Sequence, residues 1–355
     1  MSIMKLGFDE WFQNKVDPEK STNFQVARVI TVNKDNYTIN NGKNETVAEI
    51  TGKLIFQADS PLDYPAVGDW VYSQYFDEGF FAIIHGIFPR KSLLKRKTPG
   101  KKIDFQLIAA NIDTALIMQS LDENYNLRRL ERYLVMIYNS DINPLVLLSK
   151  SDLATLDDIE KKRAEIREVM PNVQVVVFSN NDDADLEKVN QLLIPGKTYC
   201  LLGSSGVGKT TLLNNLLHEE RFDTRAIREK DGRGRHTTAR RQLIILDNGS
   251  MIIDTPGMRE LGNMDIESGL ADAFAEISAL TDHCRFNDCT HTQEEGCAVL
   301  TALEEEVITQ ERYQNYMKMK KESAYYDMSY LEKRQRDKEF GKMVKSVMKH
   351  KKKKN

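Results

Sequence analysis

No stretch of this 355-residue chain approaches the roughly 18 consecutive apolar residues that a membrane-spanning helix needs. The opening residues Met1-Ser-Ile-Met-Lys-Leu-Gly-Phe-Asp-Glu-Trp11 lack a basic segment followed by a long apolar one, so no secretory signal is legible. Cysteine is scarce. Four in so long a chain cannot form the disulfide framework of a secreted scaffold. No internal repeat is evident. No membrane-spanning helix, disulfide scaffold or repeat array is expected, and a cytoplasmic, monomeric, multidomain protein without a membrane partner is. A hydrophobic content of 41% suffices for two or three packed cores.

What is present is more specific. Gly203-Ser-Ser-Gly-Val-Gly-Lys-Thr210 fits G-x-x-x-x-G-K-[ST]. In such a loop, glycines let backbone N–H groups close around phosphates, the lysine reaches the β/γ oxygens and the hydroxyl holds Mg²⁺. The apolar run Thr198–Leu202 before it reads as a buried strand, and Thr210–Leu217 after it as a helix whose N-terminus receives an anion. Nucleotide contacts are therefore expected from Gly203, Ser204, Ser205, Gly206, Val207, Gly208, Lys209, Thr210 and Thr211, with Lys209 also catalytic.

Downstream, Met251-Ile-Ile-Asp254-Thr-Pro-Gly257 is a strand ending in D-x-x-G. Asp254 is then the acidic end of an Mg²⁺ site and Gly257 a switch hinge facing the γ-phosphate. Between the two motifs lies Asp231-Gly-Arg-Gly-Arg-His236-Thr-Thr238, a polar loop with two hydroxyls where a switch threonine belongs. Magnesium is thus expected on Thr210, Asp254 and one of Thr237 and Thr238. Met258 follows Gly257 where many GTPases carry a water-orienting glutamine. A thioether cannot orient water, which makes His236 the candidate catalytic group; contact with RNA or simple packing is the competing role for that histidine.

The base-reading element lies upstream, not downstream. Pro144–Ser149 is a buried strand running into Ser149-Lys150-Ser151-Asp152, a variant of N-K-x-D with serine in place of asparagine. A carboxylate at Asp152 can accept from the N1–H and 2-amino group of guanine together, a donor pair adenine lacks, which argues against an ATP-using kinase. Ser179, ending the strand Val173–Phe178, sits where the last base-contacting loop belongs. The order base, base, phosphate, switch, switch is a circular permutation of an ordinary GTPase. Strands at 112–118, 144–148, 173–178, 198–202, 242–246 and 251–253 alternate with helices near 127–139, 155–169, 184–193 and 209–218, the pattern of an α/β domain over 104–265.

Two further regions flank it. After a leader (1–21) without an assignable role, residues 22–97 hold five short β-rich runs, suited to a small Greek-key barrel of OB or SH3-like type. Trp70 and Phe81 there are expected in the core more readily than as stacking platforms. On the C-terminal side, Cys284-x4-Cys289-x-His291-x5-Cys297 is a four-ligand set for one structural Zn²⁺. His283 is a rival ligand, but it adjoins Cys284 and competes for the same geometry. Cys200 reads as a small core residue. Residues 266–340 form a zinc-binding and helical region in which Tyr313 and Tyr316 can pack on the metal module.

The net charge of −3 hides a strong asymmetry. From Lys333 to Asn355 there are eleven Lys/Arg and two acidic residues, a surplus of nine positive charges, so the remainder is acidic by twelve. A second basic run spans Arg90–Lys97 with Lys101 and Lys102. The tail, 341–355, reads as a disordered arm, either solubilising or paired with phosphates.

The series Ala109–Asp113, Asn126-Leu-Arg-Arg-Leu-Glu-Arg-Tyr-Leu134, the P-loop, Gly234–Thr238, Asp254–Leu261 and Cys284–Cys297, in that order, resembles the circularly permuted, ribosome small-subunit-dependent GTPases of the RsgA or YjeQ type. The likeness spans nearly the whole chain. It implies a GTPase that binds GTP and GDP and acts on the small ribosomal subunit and its rRNA late in assembly. An N-terminal OB barrel, a central permuted P-loop domain and a C-terminal zinc domain come with it, and the choice between barrel types tips to OB. An RNA-binding zinc and OB protein whose nucleotide site turns over little is the other reading.

Overall fold

The computed structural model describes residues 2–34, 36–97, 105–220, 222, 241–254 and 267–327. Two kinds of burial pattern distinguish its strands. Strand β3 (Glu45–Ile50) alternates, with Thr46 and Ala48 buried and Glu45, Val47 and Glu49 exposed, as a sheet with one wet face requires. Strands β8 (Thr114–Ser120) and β9 (Asn143–Ser149) are buried almost continuously, as in a parallel sheet covered on both faces.

The alternating strands form the N-terminal barrel. β1 (Gln25–Val32), β2 (Tyr37–Asn40), β3, β4 (Trp70–Phe76) and β5 (Phe81–Ile87) pair in the order β1-β2-β3-β5-β4, and β4 returns to β1 to close the ring. β3 and β5 run parallel and every other neighbouring pair is antiparallel. A short helix (Gly52–Gln57) lies between β3 and β4. This five-stranded barrel is the OB fold. Trp70 is fully buried and Phe81 half-buried, while Phe56 and Phe80 are the barrel's most exposed aromatics.

The leader is not loose. Leu6, Phe8 and Phe12 are buried, with Phe8 edge-on to Trp70 at 4.8 Å and to Phe88 at 5.7 Å. It reaches the fully buried Arg28 of β1, whose guanidinium donates to the carbonyls of Leu6, Gly68 (3.2 Å) and Asn111 (3.3 Å) and to the Thr198 hydroxyl (2.8 Å). One side chain thereby ties leader, barrel and α/β sheet. Burial pulls its pKa down to about 10 against the opposing pull of Asp113, Asp69 and Asp9. A hairpin not foreseen from sequence, β6 (Leu93–Lys97) with β7 (Phe105–Ala110), follows the barrel.

The central sheet is ordered β10-β9-β8-β11-β13-β12, where β10 is Gln174–Val177, β11 Thr198–Gly203, β12 Gln242–Ile245 and β13 Met251–Asp254. β10, β9, β8, β11 and β13 are mutually parallel and β12 is an antiparallel edge that touches β1 at Thr31–Gln242. The connecting helices are α1 (Leu127–Tyr138), α2 (Leu156–Val169), α3 (Asp183–Gln191) and α4 (Lys209–Leu217). In α1, Leu130, Tyr133, Leu134 and Ile137 recur at helical spacing and are all buried, and the Asn126 side chain caps its first turn at the Arg129 N–H.

Beyond residue 266 the described chain has four helices, two on each side of an irregular segment at 282–297: α5 (Glu267–Ala273), α6 (Ala275–Thr281), α7 (Ala298–Glu304) and α8 (Gln310–Asp327). Gly269 lets α5 approach α1, since a Cβ there would lie 2.0 Å from the Val135 carbonyl oxygen. α8 docks on α1 through Arg312, buried against Glu131, and that guanidinium also donates to Glu276 (2.6 Å) and the Ala273 carbonyl (2.7 Å) over the Phe274 ring. Tyr316 packs edge-on to Phe274 at 5.5 Å.

Candidate nucleotide crevice and metal cluster

All five parallel strands end at the same edge, so the residues that follow them converge on one crevice, the usual ligand position of such sheets. β11 leads directly into the loop 204–208 and α4. Gly203 has φ +148°, and a Cβ there would lie 2.6 Å from the Met118 carbonyl oxygen. Gly208 has φ +95° and stands so close to the Asn180 amide that a Cβ would clash at 2.6 Å. Both positions therefore require glycine. The Lys209 ammonium donates to the carbonyls of Gly203 and Ser204, each at 2.7 Å, so it sits within the loop's concavity. Thr210 and Thr211 lie half-buried in the first turn of α4. Asp254, at the end of β13, has its pKa raised by burial, with the nearby Lys209 charge opposing.

On the neighbouring strand ends, Ser149 is fully buried and its hydroxyl bonds the Val207 carbonyl at 2.7 Å, joining the base motif to the phosphate loop. Lys150 follows in the left-handed conformation (φ 62°), and its ammonium pairs with Asp122 at 2.7 Å. Ser151 opens a short turn in which its N–H reaches the Phe178 carbonyl at 3.3 Å. Asp152 accepts from the Ser179 hydroxyl at 2.6 Å and the Asn181 amide at 3.3 Å. The Ser179 bond foremost holds the Asp152 carboxyl below the usual range, keeping an acceptor at the mouth of the crevice. His236, Thr237, Thr238, Gly257 and Met258 lie outside the described residues, as does the tail 341–355.

The structure adds residues that the motifs do not name. Asn124 donates from its amide to the Ser205 carbonyl at 3.0 Å, and its carbonyl side accepts from the Ser204 hydroxyl at 3.4 Å. Asn180 donates to the Gly208 carbonyl at 3.3 Å, and its own carbonyl accepts from Asn215 at 3.0 Å. A signal was available for the first of these. The apolar run of β8 turns polar at Gln119, Ser120 and Asp122, at the strand end that faces the crevice.

Far from the crevice in function, Cys284, Cys289, His291 and Cys297 bring their ligand atoms within 4.8 Å of one another. His291 Nδ1 lies 3.6 Å from Cys284 Sγ and 3.5 Å from Cys297 Sγ, and the two sulfurs are 3.9 Å apart. A tetrahedral ion with bonds of about 2.0–2.3 Å sets its ligand atoms roughly 3.3–3.8 Å apart, so this Cys₃His group can hold one metal. The rival His283 is exposed and stands outside the group. His291 adopts φ 60°, and the Tyr313 hydroxyl fixes its carbonyl at 2.6 Å. Cys200 is wholly buried in β11 and burial pushes its thiol up to about 12, as befits a core residue.

An OB barrel, a phosphate loop at the carboxyl edge of a parallel sheet, and a base motif preceding that loop in the chain define a circularly permuted P-loop GTPase. The comparisons with known proteins agree. Residues 87–264 match the family described as RsgA GTPase. Over 351 residues the chain is 37% identical to the small ribosomal subunit biogenesis GTPase RsgA 2 of Vibrio parahaemolyticus, covering 99% of this chain and 94% of that protein. It is 41% identical to the protein of the same name from Lactiplantibacillus plantarum, covering 93% and 91%. The crystal structure of YjeQ from Thermotoga maritima superposes with a TM-score of 0.64 at 26% identity, covering 84% of this chain and 98% of that one. YloQ, described as a circularly permuted GTPase, shares the fold with a TM-score of 0.61. The chain belongs to the RsgA GTPase family and is a GTP-hydrolysing enzyme.

Proposed function

We propose that this enzyme hydrolyses GTP during small ribosomal subunit biogenesis, binding that subunit and its rRNA in the cytoplasm as a monomer. The observation that carries the reading is the convergence of the base motif, the phosphate loop and Asp254 at one sheet edge, in a chain matched over almost its full length by proteins named for that process. In this reading Asp152 takes the guanine N1–H and 2-amino group, with Ser149, Lys150, Ser151 and Ser179 holding the base motif in place. The amides from Gly203 to Gly208, with Lys209, Thr210 and Thr211, take the phosphates. Lys209 turns from the Gly203 and Ser204 carbonyls toward the β/γ oxygens as they arrive.

A magnesium ion would offset the negative charge of the phosphates. Thr210, Asp254 and Thr237 or Thr238 would hold it, Gly257 would swing with the γ-phosphate, and His236 would orient the attacking water. Zinc fits the Cys₃His group by ligand chemistry, since thiolates and imidazole are its preferred donors and four protein ligands leave no open position. Its part is structural. The barrel (22–97), the permuted GTPase domain (104–265), the zinc and helical region (266–340) and the basic tail would then divide the work between RNA contact and hydrolysis.

Phosphate release with and without purified small subunits tests the proposal. Turnover alone should be slow and rise at least about tenfold with the subunit, because ordering of the switch loop excludes water and positions the nucleophile. His236→Ala should remove most of that stimulation and leave GTP affinity nearly unchanged. A rate that ignores the subunit would overturn the assignment.

A further inference from the structure

The phosphate loop and the base motif are held by a loop that belongs to neither. After β8, residues 120–124 form a tight hydrogen-bonded unit. Asp122 Oδ1 accepts from the Ser120 hydroxyl at 2.6 Å and the Asn124 N–H at 3.0 Å, leaving Oδ2 to pair with the Lys150 ammonium at 2.7 Å. The Asn124 side chain meets the P-loop at both Ser204 and Ser205. Its orientation is set from behind by Arg129 of α1, which donates to the Asn124 side-chain oxygen at 3.0 Å and to its backbone carbonyl. Gln119, fully buried, accepts from the Asn126 N–H and from Arg129, each at 3.3 Å, closing the unit onto the strand and helix.

A motif departure makes this loop important. Serine stands at 149 where N-K-x-D has asparagine, and among the described residues its short hydroxyl reaches the Val207 carbonyl and the Gln119 carbonyl of β8. The Ser205 carbonyl, nearer the start of the loop, is met from the β8 side instead, by Asn124.

We propose that Asn124 and Asp122 are positioning residues of the nucleotide site: Asn124 fixes the phosphate loop through Ser204 and Ser205, and Asp122 fixes the guanine-motif lysine Lys150. This rests on the reading of Gly203–Thr211 and Ser149–Asp152 as the nucleotide site, and deepens it. Asn124 acts on the phosphate end, which GTP and GDP share through the β-phosphate. Asp122 acts on the base end by pairing its Oδ2 with Lys150, while its Oδ1 holds the Asn124 N–H. Burial works to raise the Asp122 pKa, but the Lys150 ammonium, the Ser120 hydroxyl and the Asn124 N–H outweigh it and hold it at about 2. The Asp122 carboxylate is therefore ionised throughout the assay range.

Calorimetric titration of the full-length, metal-loaded protein with GDP and with a non-hydrolysable GTP analogue separates these roles. Asn124→Ala should raise both dissociation constants together, about tenfold, the scale of one or two lost hydrogen bonds. GTP-over-ATP preference should stay within about twofold. If Asn124→Ala folds poorly, Asn124→Asp keeps the acceptor for Ser204 and Arg129, loses the donor to Ser205, and should show the same joint loss. Asp122→Asn should weaken GDP about fivefold, and Asp122→Asn combined with Lys150→Ala should be no weaker than Lys150→Ala alone, because asparagine keeps the acceptor for Ser120 and Asn124 and loses the charge that holds Lys150. Unchanged affinity in the Asn124 variants, or additive losses in the Asp122–Lys150 cycle, overturns the inference. Failure of the native protein to bind either nucleotide would instead defeat the underlying site assignment.

Discussion

The nucleotide crevice and the Cys₃His cluster are assembled on opposite principles. The cluster draws its four side chains from 14 consecutive residues. The crevice draws on the ends of five strands, from Ser120 to Asp254, and its motifs touch, as Ser149 touches Val207, because the sheet aligns their strand ends. A local site depends on what fills it. A distributed site depends on the fold that aligns it. The two are joined where α8 docks on α1 through Arg312 and Glu131, two residues beyond the Arg129 that supports Asn124.

The contrast breaks most sharply at Lys209. Lys209→Ala should cut GTP turnover by two to three orders of magnitude, the scale for removing a charge aimed at the transition state, and leave metal content intact. Phosphate release and elemental analysis of the same sample check both halves. Loss of metal from the variant would show that the two sites are not separable.

The converse variant, Cys289→Ser, should lose its ion and, with it, the folding free energy the ion supplies to the C-terminal module. GDP affinity should stay within about threefold, since the crevice is held by the sheet. Zinc stoichiometry and calorimetry decide it, and removal by chelator should reproduce the outcome in the native protein.

Arg312→Ala probes the joint. It leaves Glu131 buried without its cation, and breaking one side of such a pair costs about 3–5 kcal/mol. The denaturant midpoint should fall accordingly, and proteolysis should separate the helical region from the rest. Arg312→Met, which keeps bulk and loses the charge, should recover little unless Glu131→Gln accompanies it.

The smallest effect concerns pH. Asp122 has a folded pKa near 2, below the roughly 3.9 of an unfolded aspartate, so its contribution is fully present above the unfolded value and is lost as pH falls toward the folded one. Being partly exposed, it contributes modestly. Between pH 5 and pH 2.5 the native protein should lose slightly more stability than Asp122→Asn, measured by urea midpoints. Parallel curves would show that the Lys150 pair adds nothing to folding.

Legibility followed the same division. Gly203–Thr210 was readable because a phosphate loop is a local device: glycines at positive φ, a lysine folded into the concavity and a helix start all occur within eight residues. The metal cluster was readable from spacing. The roles of Asp122, Asn124 and Asn180 were not, beyond the polar end of β8, because their partners lie up to 81 residues away and no period or spacing relates them. The leader was opaque for a related reason: Leu6, Phe8 and Phe12 look like isolated apolar residues until Trp70 and Phe88 are brought beneath them.

By itself the sequence determined which local chemistries this protein carries and in what order along the chain, because backbone conformation, ligand type and hydrophobic period are properties of neighbouring residues. Only the tertiary structure decided that β3 and β5 pair in parallel and β4 closes the ring on β1, which distinguishes the OB barrel from its alternatives. It alone set Arg28 at the meeting of leader, barrel and sheet, and aligned five strand ends so that Ser149 and Asn124 grip one loop from two sides. Those contacts are made between distant segments, and burial of the surfaces that bring them together is decided by the whole chain at once.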